Sequence, residues 1–228
     1  MIKAVFIDYT GTTVMEGGEE MKQVVMRICR NCTIHEPKEV LQAWWSIIKQ
    51  YEENSYKDTY LTEEAILDKA LGRFVEEYEL HENMEQLKEL IRGFWVNAPV
   101  FPDAKEFYDK CPLPLYVITN NGVQYVSKAM EKNDLHPTGI ICADIVRAYK
   151  PHRELFEKAL EIAGCEPQEV LHIGDSYISD VQGALNAGIR PILVQRKPDG
   201  GMEQKAWEEN FICVDSLVQA LKYIENAL

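Results

Sequence analysis

Asp8 is the first residue whose position indicates chemistry, because it directly follows an apolar run at residues 2–7. After it come the hydroxyl groups of Thr10 and Thr12 and a glycine, Gly11, that permits a tight turn. We expect Asp8 to be exposed at this turn, where a carboxylate can attack an electrophile and form a covalent intermediate. A capping aspartate in an ordinary strand-to-helix turn has the same local sequence, so this segment alone leaves both interpretations open.

Two further apolar runs end in polar residues. The run LPLYVIT, residues 113–119, is followed by Asn120 and Asn121. The run VLHI, residues 170–173, is followed by a glycine and Asp175. Three segments therefore share one plan, in which an apolar strand delivers polar side chains to its carboxyl end.

The residues at and near these ends provide the parts for handling a phosphoryl group. Thr119 and Asn120 supply hydroxyl and amide donors, and Lys150, before a proline, supplies a cation. Asp175 and Asp180 supply carboxylates, which are ligands for a hard cation, while donors and cations stabilise phosphoryl charge. Each residue alone is a weak indication, but the ordered set indicates one site.

Strands and helices that alternate along the chain must position these residues. Helical periods lie between or after the apolar runs, at residues 123–132, 153–163 and 178–186. Such alternation predicts a parallel sheet with helices on both faces. We therefore predict an α/β fold with a Rossmann-like parallel sheet core.

An all-helical cap domain is predicted within this core at residues 16–97. The segment contains four helical periods and no convincing strand: residues 19–32, 37–53, 62–78 and 84–95. Thr62 followed by two glutamates is typical of a helix start. We assign residues 1–15 and 98–228 to the catalytic core and residues 16–97 to the cap.

Composition and charge exclude several classes of partner. The chain has 228 residues, is 46% hydrophobic and 27% charged, and carries a formal net charge of -13. Such acidity argues against nucleic acid and anionic membrane surfaces as partners, and no apolar run is long enough to span a bilayer. We expect a cytoplasmic monomer or homodimer whose six cysteines are small buried hydrophobes rather than redox groups.

The polar segments, taken in order, resemble the motifs of the haloacid dehalogenase superfamily of phosphohydrolases. They read DYTGT, VITN, YKPHRELF and HIGDSYISDVQGALNAG, and the helical insert follows the first of them, as the cap does in that family. The resemblance covers essentially the whole chain. It implies a magnesium-dependent phosphohydrolase that acts on a small phosphorylated metabolite through an aspartyl-phosphate intermediate.

The resemblance also implies roles for single residues. Asp8 would be the nucleophile, Thr119 would hold the phosphoryl oxygens with backbone amides and Asn120, and Lys150 would neutralise charge near Asp8 and the transferring phosphoryl group. The substrate-binding residues that it implies are Gly11, Thr12, Asn120 and Asn121. Asp175 would bind Mg2+ together with Asp8 and the Thr10 carbonyl oxygen, and Asp180 would support that site directly or through water. Magnesium commonly uses few carboxylates together with phosphate and water, in agreement with this set.

Thr10 departs from the family pattern. Phosphatases of the family usually have a second aspartate there, which acts as general acid and then as general base. Threonine cannot do this at neutral pH, and the loss of such a group costs about 10²- to 10⁴-fold in rate. A phosphonate hydrolase of the phosphonoacetaldehyde type, which forms an imine on a cap lysine, and a weakly catalytic phosphate-binding protein are therefore retained as alternatives. A dehalogenase is less consistent with Asp175.

Several remaining residues are predicted to be structural. His172 lies in an apolar run and is expected to be a core residue or to contact a site residue without touching the substrate. Four aromatic residues are expected to pack inside the cap, although one of them could face the substrate: Trp44, Trp45, Phe94 and Trp95.

Overall fold

The apolar runs of the sequence form the middle of one parallel sheet. The computed structural model describes residues 1–196 and 211–227. Within these residues the strands are β1 (Ala4–Ile7), β2 (Leu115–Thr119), β3 (Gly139–Cys142), β4 (Val170–Gly174), β5 (Arg190–Val194) and β6 (Ile212–Val214). They pair in parallel in the order β3-β2-β1-β4-β5-β6, the order of a Rossmann-like sheet, which confirms the predicted α/β fold class.

Helices cover both faces of this sheet. The α-helices of the described residues are α1 (Glu19–Asn31), α2 (Pro37–Glu53), α3 (Glu63–Tyr78), α4 (Met84–Asn97), α5 (Ala104–Lys110), α6 (Val123–Lys132), α7 (Ala143–Val146), α8 (Arg153–Ala163), α9 (Gly183–Asn186) and α10 (Leu217–Ala227). Side chains of α8 pack on one face of the sheet, and side chains of α5, α6 and α10 pack on the other.

Strand β1 shows why the central strands were predictable. All four of its residues are buried, with Val5 and Ile7 in the apolar cluster of one face and Ala4 and Phe6 in that of the other. Successive side chains of a strand point to opposite faces, so a strand covered on both sides needs a continuous apolar run. β2 and β4 follow the same rule.

The three outer strands were missed because their sequences carry weaker signals. β3 has 4 residues and β6 has 3. β5 begins with Arg190 and Pro191, and a proline inside a run argues against a central strand because it lacks a backbone N–H. The short strands β3 and β6 each pair with a longer neighbour, β2 and β5, and β5 itself pairs with strands on both sides, β4 and β6.

Helices α1 to α4 form the predicted insert between β1 and β2. Their bounds lie within two residues of the four predicted helical periods. Thr62 caps α3 as predicted, since its side chain accepts a hydrogen bond from the Ala65 N–H at 3.3 Å. Buried residues of the insert, including Ile28 and Phe74, belong to the same apolar cluster as Ile7 of β1. The division into two domains at residues 16 and 97 stays a prediction.

The segment after β4 differs from the single helix predicted at residues 178–186. It forms a π-helical segment, Tyr177–Gln182, followed by α9, and the Val181 N–H donates to the Ser176 carbonyl five residues earlier at 3.2 Å. Gly183 permits close packing on α8, because a Cβ there would lie 2.6 Å from the Phe156 ring. Such wider turns are frequent at functional sites.

Helix length bears on the membrane expectation. Among residues 1–196 and 211–227, no helix combines the length and the apolar content needed to cross a bilayer. The cytoplasmic location, the absence of nucleic-acid partners and the oligomeric state stay predictions.

Candidate active site

Asp8 and Asp175 lie side by side because they follow neighbouring strands. In the pairing of β1 with β4, Ile7 is opposite Ile173, and the Asp8 N–H donates to the Ile173 carbonyl oxygen at 2.8 Å. Carboxylate oxygens of Asp8, Asp175 and Asp180, one from each residue, all lie within 4.8 Å of one another. The structure thus brings together the three aspartates that the sequence assigned to a metal site.

Asp8 is buried, so the expectation of an exposed carboxylate was wrong. The residue is 6% exposed, because the end of β1 opens into a cavity that the insert covers. Burial raises the pKa of Asp8 to about 6, and the nearby ammonium of Lys150 offsets only part of that cost.

Lys150 joins two of the aspartates. Its Nζ donates to Asp8 Oδ1 at 2.5 Å and to Asp180 Oδ1 at 2.6 Å, and all three side chains are buried. Burial disfavours the ammonium, but the two carboxylates outweigh it and hold the pKa of Lys150 above its ordinary value. Lys150 is therefore a fixed cation at the end of β1, as the sequence predicted for this position.

Asp180 is held by protein groups through both of its oxygens. Oδ1 is 3.0 Å from His172 Nε2 as well as accepting from Lys150, and Oδ2 accepts from the Ser176 N–H at 3.0 Å. Burial opposes ionisation of Asp180, but the ammonium of Lys150 keeps its pKa well below the usual range. Gly174 permits this approach, since a Cβ there would lie 2.2 Å from the Asp180 carboxyl carbon. His172 thus contacts Asp180 from within the core.

Asp175 is packed against the turn that follows β1. Thr12 Oγ1 donates to Asp175 Oδ1 at 2.9 Å, and the substrate-binding role predicted for Thr12 stays a prediction. Gly11 has φ +89°, and a Cβ there would lie 2.4 Å from Asp175 Oδ2, so glycine is required both for the backbone and for the contact. Burial, together with the neighbouring Asp8 charge, raises the pKa of Asp175 to about 8.

Thr10 and Thr119 meet at Asn121. The Thr10 hydroxyl donates to Asn121 Oδ1 at 2.8 Å, and the Thr119 hydroxyl donates to the same oxygen at 3.2 Å. Thr119 also accepts from the Asn121 N–H at 3.0 Å. The predicted phosphoryl-binding groups are therefore adjacent, and they are hydrogen-bonded to one another.

Two glutamates of the insert reach the loop after β2, and the sequence did not indicate them as site residues. Glu63 accepts from Asn121 Nδ2 at 2.6 Å and from the Gly122 N–H at 2.7 Å. Glu52 Oε2 accepts from Asn120 Nδ2 at 3.2 Å, while Asn120 Oδ1 accepts from the Lys150 N–H at 2.8 Å. Burial raises the pKa of Glu52 to about 7 and that of Glu63 to about 8.

A cavity of about 300 Å³ lies between the strand ends and the insert. Asp8, Lys150 and Asp175 line it from the sheet. All four aromatic residues expected in the core of the insert also line it: Trp44, Trp45, Phe94 and Trp95. The position of the cavity, at the carboxyl ends of β1 and β4, is where ligands bind in open α/β sheets.

The residues present fit a hard divalent cation. Asp8 and Asp175 bring two carboxylates together at a strand edge, and repulsion by the Asp8 charge adds to burial in raising the pKa of Asp175. A cation between them would relieve this repulsion, and oxygen ligands of this kind suit magnesium. Among the described residues, the only His, Cys, Asp or Glu group with metal-ligand spacing is this trio of aspartates.

Comparison with known proteins identifies the family of this chain and finds similarity to proteins that are named as phosphatases. The profile of the haloacid dehalogenase-like hydrolases matches residues 2–188. A glyceraldehyde 3-phosphate phosphatase of Pyrococcus abyssi is 32% identical over 87 residues, which cover 38% of this chain and 37% of that protein. A pyrophosphatase PpaX of Bacillus cereus is 28% identical over 112 residues, covering 48% of this chain and 51% of its own length. The chain thus spans about half or less of these two relatives.

A solved structure shares the fold. The L-2-haloacid dehalogenase of Xanthobacter autotrophicus superimposes with a TM-score of 0.80 at 19% identity, covering 99% of each chain. At this identity the likeness concerns the fold alone.

We predict that Glu63→Gln becomes more stable, relative to the parent protein, as pH rises. The raised pKa of Glu63, about 8 against an ordinary 4.5, means that the folded state keeps a proton that the unfolded chain releases. The parent therefore loses stability between these two values, and the uncharged glutamine does not. Thermal unfolding at about pH 5 and about pH 9 measures the change, with the exposed Glu53→Gln as control. The contrary result is a difference in melting temperature between Glu63→Gln and the parent that is the same at both pH values or reverses in sign. It would show that the two N–H donors lower the pKa of Glu63 by more than burial raises it.

Proposed function

The chain belongs to the haloacid dehalogenase-like hydrolases, and we propose that it is a magnesium-dependent phosphohydrolase that acts on a small phosphorylated metabolite through an aspartyl-phosphate at Asp8. The observation that carries this proposal is the buried Asp8 carboxylate, bonded to Lys150 at 2.5 Å and lining the cavity. The relatives named as phosphatase and pyrophosphatase support phosphate rather than halide chemistry.

The proposed reaction has two steps. First, a carboxylate oxygen of Asp8 attacks phosphorus, so that a new P–O bond forms while the bond to the leaving oxygen breaks and that oxygen keeps the electron pair. Second, water attacks phosphorus, the bond to Asp8 breaks, and inorganic phosphate leaves with Asp8 regenerated. Lys150 holds the Asp8 carboxylate in place and balances charge next to the transferring group.

Donors around the loop after β2 are proposed to hold the phosphoryl oxygens. Thr119 and Asn121 now bond to each other, and the Gly122 N–H at the start of α6 bonds to Glu63. A helix N-terminus favours an anion, and here the Glu63 carboxyl group, which is uncharged below its raised pKa of about 8, takes that position. Substrate binding would exchange these internal hydrogen bonds for bonds to phosphate.

We propose that Asp8, Asp175 and the Thr10 carbonyl oxygen hold the Mg2+ ion. Asp180, whose two oxygens already accept protein hydrogen bonds, would support the site by fixing Lys150. A bound magnesium ion supplies charge neutralisation of the phosphoryl oxygens.

The alternatives that the sequence left open predict different products. A phosphonate hydrolase would form an imine on a lysine of the insert, and Lys49 lines the cavity. Borohydride would then leave the carbon skeleton of the substrate attached to that lysine, whereas reduction of an aspartyl phosphate retains no part of the substrate. A binding protein would take up phosphate esters without releasing phosphate.

Asp8→Asn should reduce phosphate release from aryl phosphates to the assay background. The amide has nearly the same shape but is a poor nucleophile, and Lys150 keeps its bond to Asp180, so the fold should persist. Release of phosphate from p-nitrophenyl phosphate measures the loss, circular dichroism checks the fold, and the exposed Asp58→Asn serves as control. Substantial turnover by pure Asp8→Asn protein would exclude the covalent mechanism.

Chelation should stop the reaction and magnesium should restore it. Asp175→Asn removes one charged ligand without changing side-chain size, so the magnesium concentration for half-maximal activity should rise more than about tenfold, equivalent to about 1.4 kcal/mol. A magnesium titration of both proteins after EDTA treatment gives this ratio. Full activity in EDTA would contradict the metal assignment.

Thr10 should make the rate depend on the leaving group. Without a general acid, aryl and acyl phosphates should react much faster than alkyl phosphates, since the departing oxygen must carry negative charge. Thr10→Asp should raise alkyl phosphate turnover more than aryl phosphate turnover, provided that Asn121 turns its amide donor toward the new carboxylate. Rates over a series of esters, measured on both proteins, test this. If the rate of the parent protein did not depend on leaving-group pKa, another residue would have to donate the proton. Glu63, which is linked to Thr10 through Asn121, would then be the first residue to substitute.

A further inference from the structure

The helical insert gives the cavity an acidic and aromatic wall. Away from the aspartates, the acidic residues that line it are Glu16, Glu52 and Glu63, and among the described insert residues Lys49 is the one cation of the lining. Aromatic rings lie on the same side: Trp44, Trp45, Phe94 and Trp95. A leaving group that extends from Asp8 into this cavity therefore meets glutamate side chains and several aromatic faces.

Glu52 lines the cavity with one carboxylate oxygen available to contact a leaving group. Its Oε2 accepts from Asn120, and no group among the described residues is hydrogen-bonded to its Oε1. The side chain is half-buried because it borders the cavity. Asn120 also accepts from the Lys150 N–H, so Glu52 is separated from the lysine that holds Asp8 by one side chain.

Among the described residues, no lysine, arginine or histidine forms an ion pair with the glutamates of this wall. Lys150 is already bonded to Asp8 and Asp180, and Lys49 is exposed. Burial raises the pKa of Glu52 to about 7, and the Asn120 hydrogen bond and the charges of Lys150 and Lys49 offset only part of the cost of ionising it. A cation on the ligand would reduce this cost.

We propose, on the basis of the phosphohydrolase function proposed above, that the best-bound substrate among alkyl phosphate monoesters is one whose alcohol part carries an ammonium group, bound between Glu52 and the aromatic wall. Carboxylates attract such a group by charge, and aromatic faces attract it through their electron-rich rings. A carboxylate on the alcohol part would instead be repelled by ionised Glu52. A neutral alkyl group would gain neither interaction.

The cavity volume limits the size of this alcohol. About 300 Å³ lies at the small end of ligand cavities, so a short chain between phosphate and ammonium fits best. Primary and quaternary ammonium groups share the required charge. A primary ammonium can also donate to Glu52 Oε1, whereas a quaternary one relies on charge and on the aromatic rings.

Binding to the Asp8→Asn protein with magnesium separates recognition from turnover. Calorimetry would compare 2-(trimethylammonio)ethyl phosphate and 2-aminoethyl phosphate with the neutral 3,3-dimethylbutyl phosphate and the anionic carboxymethyl phosphate. We expect a cationic ester to bind at least about tenfold more tightly than the neutral one, and the anionic ester to bind most weakly. The neutral ester has the shape of the quaternary one, so this difference isolates the charge.

Glu52→Gln in the same background should reduce the preference for the cationic ester by about fivefold or more. Glu53→Gln is the matched control, because it removes the same charge at the next, exposed position of α2 and should leave the preference unchanged. An equal loss in both variants would mean that overall charge, and not Glu52, sets the preference, and this result would overturn the assignment.

The outcomes separate this inference from the function on which it rests. Hydrolysis of p-nitrophenyl phosphate by the parent protein, without any preference for cationic esters, overturns the inference alone. A cationic preference without hydrolysis of any ester supports the subsite and overturns the proposed function. Tighter binding of the carboxymethyl ester, or no binding of any ester, also overturns the inference, the former by showing that Lys49 dominates the wall.

Discussion

The double ion pair of Lys150 with Asp8 and Asp180 is the interaction on which the site depends. Carboxylates from Asp8, Asp175 and Asp180 come within 4.8 Å of one another in a largely buried place, an arrangement that charge repulsion opposes. One buried ammonium bonded to two of them offsets that repulsion. Removing one partner of a buried pair is costly, about 3–5 kcal/mol, because the other charge is left unbalanced.

The rest of the core is arranged around this group. Adjacent positions in the sheet bring the ends of β1 and β4 together, and the glycines at 11 and 174 leave room for Asp175 and Asp180 to approach. His172 and the Ser176 N–H hold the Asp180 carboxylate in position. In the proposed function, the sheet edge supplies phosphoryl chemistry, while the insert, through Glu52 and its aromatic residues, sets the kind of leaving group.

The sequence allowed much of this to be predicted, for identifiable physical reasons. A strand covered on both faces must be apolar throughout, so β1 was visible, and with it the position of Asp8. The helical period predicted the bounds of α2 and α8 to the residue. Glu63 was interpreted only as an acidic residue in the first turn of a helix, because the periodicity that defines a helix does not reveal what its polar residues contact. Glu52 and Asn120 are far apart in sequence, so their contact arises only from tertiary packing. The burial of Asp8 was missed for the same reason, since the insert that covers it follows it in the chain.

Chemical trapping of the intermediate tests the covalent role of Asp8 most directly. The parent protein would be mixed with an aryl phosphate and magnesium, quenched in acid during turnover and reduced with borohydride, which converts an aspartyl phosphate to homoserine. Peptide mass spectrometry would then locate the modified residue. The covalent mechanism predicts homoserine at position 8 and at no other aspartate. Phosphate release with an unmodified Asp8, or modification at Asp175 or Asp180 instead, would contradict it.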